Sequence, residues 1–263
     1  MTDSYDVVFF DLDGTFHLGG RPFDRLPAMI SKLADDGAAK FVAVTNNTSV
    51  TPDVHVDKLV KMGLDRDAFE LCSPLHVVAA QAGSGLPTRI FPLCSESVAQ
   101  FLAAAGFDVA AANPLAVLVA FDIELTFDKL ARASELLHAG AALFATHVDV
   151  RCPTSFGYVP DCGSMTKMLE QTTGVRCSGD FGKPSLAMAD YLRSRFCANG
   201  ERAIMIGDRI YTDIPLGHRI GIDTALVLTG EASGDDVAGS DFQPTIIVDS
   251  FESLLRDSFP HAW

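Results

Sequence analysis

Three short apolar runs, far apart in the chain, each end on a residue able to do chemistry: VVFF before Asp11, FVAV before Thr45 and AIMIG before Asp208. Unbroken apolar runs of four or five residues read as strands covered on both faces, the pattern of a parallel sheet. Parallel strands of an open α/β sheet share one carboxyl edge, and ligands bind in the crevice along it. The pattern therefore predicts that Asp11, Asp13, Thr45, Asn46, Asp208 and Asp213 converge. A group of carboxylates with a hydroxyl beside it suits a hard divalent cation and a phosphoryl group.

Strand and helix signals alternate along the whole chain, as βαβ units require. Strands are predicted at 7–10, 41–44, 90–93, 117–120, 142–145, 203–206, 224–228 and 245–248. Leu26, Met29, Ile30 and Leu33 form a helical stripe that Gly37 stops. Pro52 suits the first turn of a helix reaching Met62, with Gly63 beyond. Ser97 and Gln100 have capping-box spacing. Thr126 can cap a helix through Leu137, and a short helix is predicted at 164–172. Pro184 is predicted to open a helix carrying Leu186, Ala189 and Leu192. Gly83-Ser84-Gly85 and Ser178-Gly179-Asp180 read as hinges. The expected architecture is a doubly wound parallel-sheet α/β core, residues 1–79 and 179–263, interrupted by a smaller inserted α/β domain at 80–178.

Composition narrows the function. With 48% hydrophobic residues the chain can bury a sizeable core. No apolar run approaches the ~20 residues that span a bilayer. The opening MTDSYD lacks the basic and apolar regions of a secretory signal, so a cytoplasmic location is expected. A formal net charge of −14 without a basic stripe argues against nucleic acid as a partner. No G-x-G-x-x-G follows the first strand, which argues against a dinucleotide-dependent oxidoreductase. The six cysteines show no metal-ligand spacing and read mostly as buried thiols.

Asp11 and Asp13 form a D-x-D in extended chain, where alternate side chains point the same way. Gly14 permits a sharp turn after them. Thr45, Asn46 and Asn47 bring a hydroxyl and two amides, either to phosphate oxygens or into an Asx-type turn. Lys183-Pro184 at a helix start would place a positive charge beside an anion-favouring helix end. Asp208 and Asp213 are either a buried pair needing a cation or surface helix caps.

Taken together, D-L-D-G-T at 11–15, T-N-N at 45–47, G-K-P at 182–184 and G-D-R-I-Y-T-D at 207–213 resemble the haloacid dehalogenase superfamily of phosphatases. T-N-N-T-S, A-T-H-V-D-V-R-C-P-T and L-V-L-T-G resemble its NagD-like, 4-nitrophenylphosphatase-type branch. The resemblance implies that Asp11 is a nucleophile forming an aspartyl-phosphate and that Asp13 is the general acid and base. It implies that Thr45 and the Asn46 backbone hold the phosphoryl group, with Gly14 and Asn47 beside it, and that Lys183 neutralises it. Mg2+ would be held by Asp11, the Asp13 carbonyl and Asp208, with Asp213 orienting Lys183 or a metal-bound water. The branch commonly has Asn at His147, a Gly-rich turn at Asp161-Cys162-Gly163 and Asn-Leu at Arg209-Ile210. His147 is thus either a leaving-group contact or a structural histidine, and Arg209 either binds a second anionic group or stays at the surface.

The expected activity is Mg2+-dependent hydrolysis of a small phosphate ester such as a sugar phosphate or nucleotide. A non-catalytic phosphometabolite-binding regulator and a phosphotransferase stay open as alternatives. The oligomeric state is open too, with a homodimer through the inserted domain frequent in the branch.

Overall fold

A computed structural model describes residues 4–154 and 156–263, so the first three residues of the polar N-terminal segment lie outside it. In chain order it contains β1 (Val7–Phe10), a hairpin of β2 (His17–Leu18) and β3 (Arg21–Pro22), α1 (Leu26–Asp35), β4 (Lys40–Val44), α2 (Pro52–Lys61), β5 (Phe69–Cys72) and α3 (Pro74–Ala80). Then come β6 (Ile90–Leu93), α4 (Glu96–Ala104), β7 (Ala116–Val119), α5 (Phe127–His138), β8 (Ala142–Ala145), β9 (Arg151–Thr154), β10 (Gly157–Pro160), α6 (Cys162–Thr173) and β11 (Cys177–Asp180). The chain closes with α7 (Leu186–Phe196), β12 (Ala203–Gly207), α8 (Asp213–Ile220), β13 (Asp223–Val227), α9 (Gly234–Ala238), β14 (Ile246–Val248) and α10 (Phe251–Ser258).

The chain divides into two compact units. One comprises Met1–Thr45, Asp53–Cys72 and Met188–Trp263, the other Asn46–Pro52 and Ser73–Ala187. The first holds a six-stranded parallel sheet ordered β14-β13-β12-β1-β4-β5. All four residues of β1 are buried because helices cover both faces of the sheet. Val8 and Phe10 pack with α1, α2 and α10 in one core, where the Phe10 and Phe251 rings lie 5.5 Å apart. Phe9 points the other way and meets Phe196 of α7 edge-on at 5.8 Å. Strand alternation alone produces this two-sided burial.

From β1 the chain runs first to β4 on one side and later returns in β12 on the other. That reversal makes β1 the topological switch point of the sheet. Register pairs Phe10 with both Ile206 and Ala43, so the carboxyl ends of β12, β1 and β4 lie level.

The second unit carries a four-stranded parallel sheet ordered β11-β8-β7-β6 and the antiparallel pair β9-β10. Its core joins Leu93, Val117, Val119 and Leu143 to Leu136 and Leu137 of α5 and Met165 and Leu169 of α6. Thr126 caps α5 by accepting the Lys129 N–H at 3.3 Å.

Several local expectations need correction. α4 starts at Glu96, so Ser97 lies inside it and Gln100 donates to Glu96 within the helix at 3.0 Å. Asp161, not Ser164, opens α6, since its carboxylate accepts the Cys162 N–H at 2.6 Å. Pro184 stands two residues ahead of α7, in a turn that Ser185 N–H closes onto the Gly182 carbonyl at 2.7 Å. Ser178-Gly179-Asp180 belongs to β11, an edge strand whose pairing with β8 outweighs its hinge-like composition. Three of the six cysteines, Cys72, Cys94 and Cys162, are buried and the other three partly exposed, and all are free thiols. Burial pushes the Cys94 and Cys162 thiols up to about 12. Among the described residues no helix is long and apolar enough to cross a membrane.

Candidate active site

The level strand ends place Asp11 directly after β1, Thr45 after β4 and Asp208 after β12. Asp11 N–H donates to the Ile206 carbonyl at 2.9 Å and Thr45 N–H to the Cys72 carbonyl at 3.1 Å, which continues the ladder to the edge. Asp213 opens α8. One carboxylate oxygen each from Asp11, Asp208 and Asp213 lies within 4.8 Å of the others, and all three residues are buried.

Three buried carboxylates repel one another, and Asp208 bears the consequence. Burial first, then the charges of Asp11 and Asp213, push its carboxyl up to about 7. Its Oδ2 accepts the Glu231 N–H at 2.7 Å, while Oδ1 is buried with no hydrogen-bond partner. A buried carboxylate oxygen without a hydrogen-bond partner, on a residue grouped with two further buried carboxylates, suits a hard divalent cation. The residues present therefore fit Mg2+. The Asp13 side chain, about half exposed, stands outside this trio.

Glycines make room for the cluster. A Cβ on Gly14 would sit 2.3 Å from Asp208 Oδ2, one on Gly230 2.0 Å from the same oxygen, and one on Gly207 2.2 Å from the Asp213 carboxyl carbon. Gly14 also has a φ of +88°, and Thr229 Oγ1 pins its carbonyl at 2.6 Å. Gly14→Ala is therefore expected to lower stability by about 1–3 kcal/mol, through left-handed strain and overpacking together. Thermal unfolding of the two proteins in EDTA checks this, and an unchanged midpoint would show that the turn relaxes freely.

Arg209 holds Glu231 through Nε at 3.2 Å, and its N–H donates to Asp213 Oδ2 at 3.2 Å. A residue that spacing rules pass over also belongs here. His17 is 1% exposed, and its Nδ1 stands 3.2 Å from Asp13 Oδ1. Burial lowers the pKa of its imidazole, with Asp13 opposing. The available signal was its position four residues after Asp13 in a tight turn.

In the second unit, Asn46 follows Thr45 in the chain and spends its side chain on Lys183. Its Oδ1 accepts the Lys183 N–H at 2.7 Å, and its Nδ2 donates to the Lys183 carbonyl at 3.0 Å and to Asp149 Oδ2 at 3.2 Å. The amide thus grips the Lys183 backbone from both sides, and Lys183 is 3% exposed. Gly182 permits the approach, since a Cβ there would lie 2.7 Å from Asn46 Oδ1. Asn47 Oδ1 accepts from Ser49 N–H at 3.0 Å and Ser49 Oγ at 2.6 Å, an Asx turn.

His147 is fully buried, with Nδ1 3.7 Å from Asp149 and Nε2 3.5 Å from Asp161. One atom from each of His147, Asp149 and Asp161 lies within 4.8 Å of the others, and neither ring nitrogen makes an aligned hydrogen bond. The arrangement is that of an imidazole spanning two acids. Asp149 and Asp161 were not anticipated as its neighbours, because their proximity depends on how α6 folds back onto the loop after β8.

Comparison with known proteins bears on family and fold. The family described as haloacid dehalogenase-like hydrolase matches residues 8–108, and the HAD-hydrolase-like family matches residues 180–254. The acid sugar phosphatase of Staphylococcus aureus is 30% identical, with 95% of each chain covered. The crystal structure of 4-nitrophenylphosphatase from Thermotoga maritima superposes with a TM-score of 0.87 at 31% identity, covering 97% of both chains. A NagD-like protein superposes with a TM-score of 0.85 at 32% identity, covering 97% of this chain and 99% of that one. Strand-end carboxylates, glycine cradle and full-length likeness lead to one assignment: the chain belongs to the haloacid dehalogenase-like hydrolases, as a phosphatase of the NagD type.

Proposed function

We propose that the protein is a Mg2+-dependent phosphomonoester hydrolase that works through an aspartyl-phosphate and acts on a small phosphorylated metabolite. The observation that carries this reading is the buried trio of Asp11, Asp208 and Asp213 with its unbonded Asp208 oxygen. Asp11, Asp208 and the Asp13 carbonyl would hold the ion. Bound there, Mg2+ neutralises negative charge and polarises a phosphoryl oxygen.

Asp11 attacks phosphorus and carries the phosphoryl group, splitting one difficult hydrolysis into two displacements. Asp13 gives its proton to the departing oxygen and then takes one from the attacking water. Thr45 and the Asn46 backbone hold the phosphoryl oxygens, with Gly14 and Asn47 shaping the turns beside them. Lys183 supplies a fixed positive charge, and the grip of Asn46 on its backbone restricts where the ammonium can go. Asp213 would orient Lys183 or a metal-bound water. Arg209 would have to exchange its pairing with Glu231 to bind a second anionic group on the substrate. The division into a catalytic core at 1–79 and 179–263 with an inserted domain at 80–178 belongs to the same reading.

The named activities of relatives support the substrate class: a 5'-nucleotidase, acid sugar phosphatases and a glycerol-3-phosphate phosphatase. Support for the metal comes from a glycerol phosphate phosphatase of Mycobacterium tuberculosis, 28% identical, whose structure contains magnesium. A phosphate-release screen over sugar phosphates, nucleoside monophosphates, glycerol phosphates, phosphoglycolate and pyridoxal phosphate tests the reading. Excess EDTA should remove more than about nine-tenths of the activity and added Mg2+ should restore it, since the ion carries much of the charge stabilisation. Full activity in EDTA would overturn the metal assignment.

A further inference from the structure

Asp13 sits in a turn closed by its own backbone. Phe16 and His17 N–H both donate to the Leu12 carbonyl, at 2.9 and 3.0 Å, and Gly14 N–H donates to the His17 carbonyl at 2.8 Å. This loop returns His17 to the side of Asp13 and sends the chain on into the β2-β3 hairpin, where His17 pairs with Pro22. The His17 ring is 1% exposed, whereas the Asp13 side chain is about half exposed. Neither ring nitrogen has an aligned hydrogen-bond partner, although Nδ1 stands 3.2 Å from Asp13 Oδ1. A buried imidazole with both nitrogens unsatisfied is uncommon and calls for a functional reason. Catalytic hydrogen bonds are often poorly aligned before substrate binds and tighten in the complex.

We propose that His17 is the positioning residue for the general acid, holding Asp13 Oδ1 through Nδ1–H so that the proton on Oδ2 faces the leaving oxygen. The inference rests on the reading of Asp13 as general acid. In the step concerned, an Asp11 oxygen bonds to phosphorus and the ester P–O bond breaks, its electron pair going to the leaving oxygen. The Asp13 Oδ2 proton moves to that oxygen, and His17 keeps its own. Asp13 is exposed and on a turn, so without a fixed partner its carboxyl would sample several rotamers. Only one of them aims the proton at the ester oxygen, and orientation of this kind is worth orders of magnitude in rate.

The test compares 4-nitrophenyl phosphate, whose phenolate leaves without help, with benzyl phosphate, whose alkoxide needs a proton. The quantity read is the ratio of kcat/KM for the first substrate to that for the second. This constant stops at departure of the leaving group, so the later water step does not enter, and any loss of folded enzyme cancels. His17→Phe should raise the ratio at least tenfold over the unaltered enzyme. His17→Asn, which keeps an N–H donor near the Nδ1 position, should leave it within about threefold. The control is Asp13→Asn, which should raise the ratio further than His17→Phe. An unchanged ratio in His17→Phe beside a raised one in Asp13→Asn overturns the role of His17 and leaves Asp13 as the acid. An unchanged ratio in Asp13→Asn overturns the acid reading, and the inference falls with it. An equal rise in His17→Phe and His17→Asn shows that ring shape, not the donor, matters, and also overturns it.

Discussion

Asp11→Asn should lower phosphate release from 4-nitrophenyl phosphate by at least about 10^4-fold, the equivalent of roughly 5.5 kcal/mol of transition-state stabilisation. An amide is a poor nucleophile, and the substitution also removes one of the two carboxylates whose charge acts on Asp208. The fold should survive, because Asp11 is bound into the sheet through its backbone N–H to Ile206, which the substitution leaves intact. Acid-quenched mixtures of unaltered enzyme and labelled substrate should contain covalently bound phosphate, and those of the variant should not. Turnover within tenfold of the unaltered enzyme would exclude Asp11 as the covalent carrier.

Asp208→Asn should act in two opposite directions. Activity with Mg2+ should fall about 10^2–10^3-fold, the scale for losing a preorganised electrostatic group. Stability without metal should rise, because the folded protein no longer confines three carboxylates. Asp208 is raised from 3.8 to about 7, so the folded state binds a proton more tightly than the unfolded chain. Its contribution is full below about pH 4 and is lost as pH climbs through about 7. In EDTA the unaltered protein should therefore lose roughly 2–4 kcal/mol between pH 4 and 7 relative to Asp208→Asn. Mg2+ binding near pH 6 should release a proton, which calorimetry in buffers of different ionisation enthalpy detects. Parallel melting curves for the two proteins across that range would contradict the shared-charge account of the cluster.

Much of the fold can be read from local pattern. The runs leading to Asp11, Thr45 and Asp208 are apolar at every position and too short for a helix, which suits strands covered on both faces. The stripe of Leu26, Met29, Ile30 and Leu33 is a helix in the structure, with all four buried. Local pattern misleads where pairing with another segment decides the outcome. Cys177–Asp180 has hinge-like residues yet forms an edge strand, because β8 supplies its partner. Phe69–Cys72 carries too short an apolar signal to stand out, and β4 recruits it. Caps proved difficult because Ser95, Ser97, Asp161 and Ser164 are all suitable residues. The choice among them depends on where the chain arrives from.

The site divides in the same way. Order and spacing mark Asp11, Asp13, Thr45, Asp208 and Asp213 as candidates, since parallel strands must share a carboxyl edge wherever they lie in the chain, and Lys183 is marked by its place before a proline and by the family resemblance. The partners of those residues were not legible. His17 beside Asp13, the grip of Asn46 on Lys183, and His147 spanning Asp149 and Asp161 rest on side-chain directions set by packing. Residue types and periodicity thus determined which chemical groups the chain brings to the sheet edge. Tertiary structure alone decided their partners and the raised pKa of Asp208, because desolvation and distances of a few ångströms are properties of the packed molecule and leave no periodic trace in the sequence.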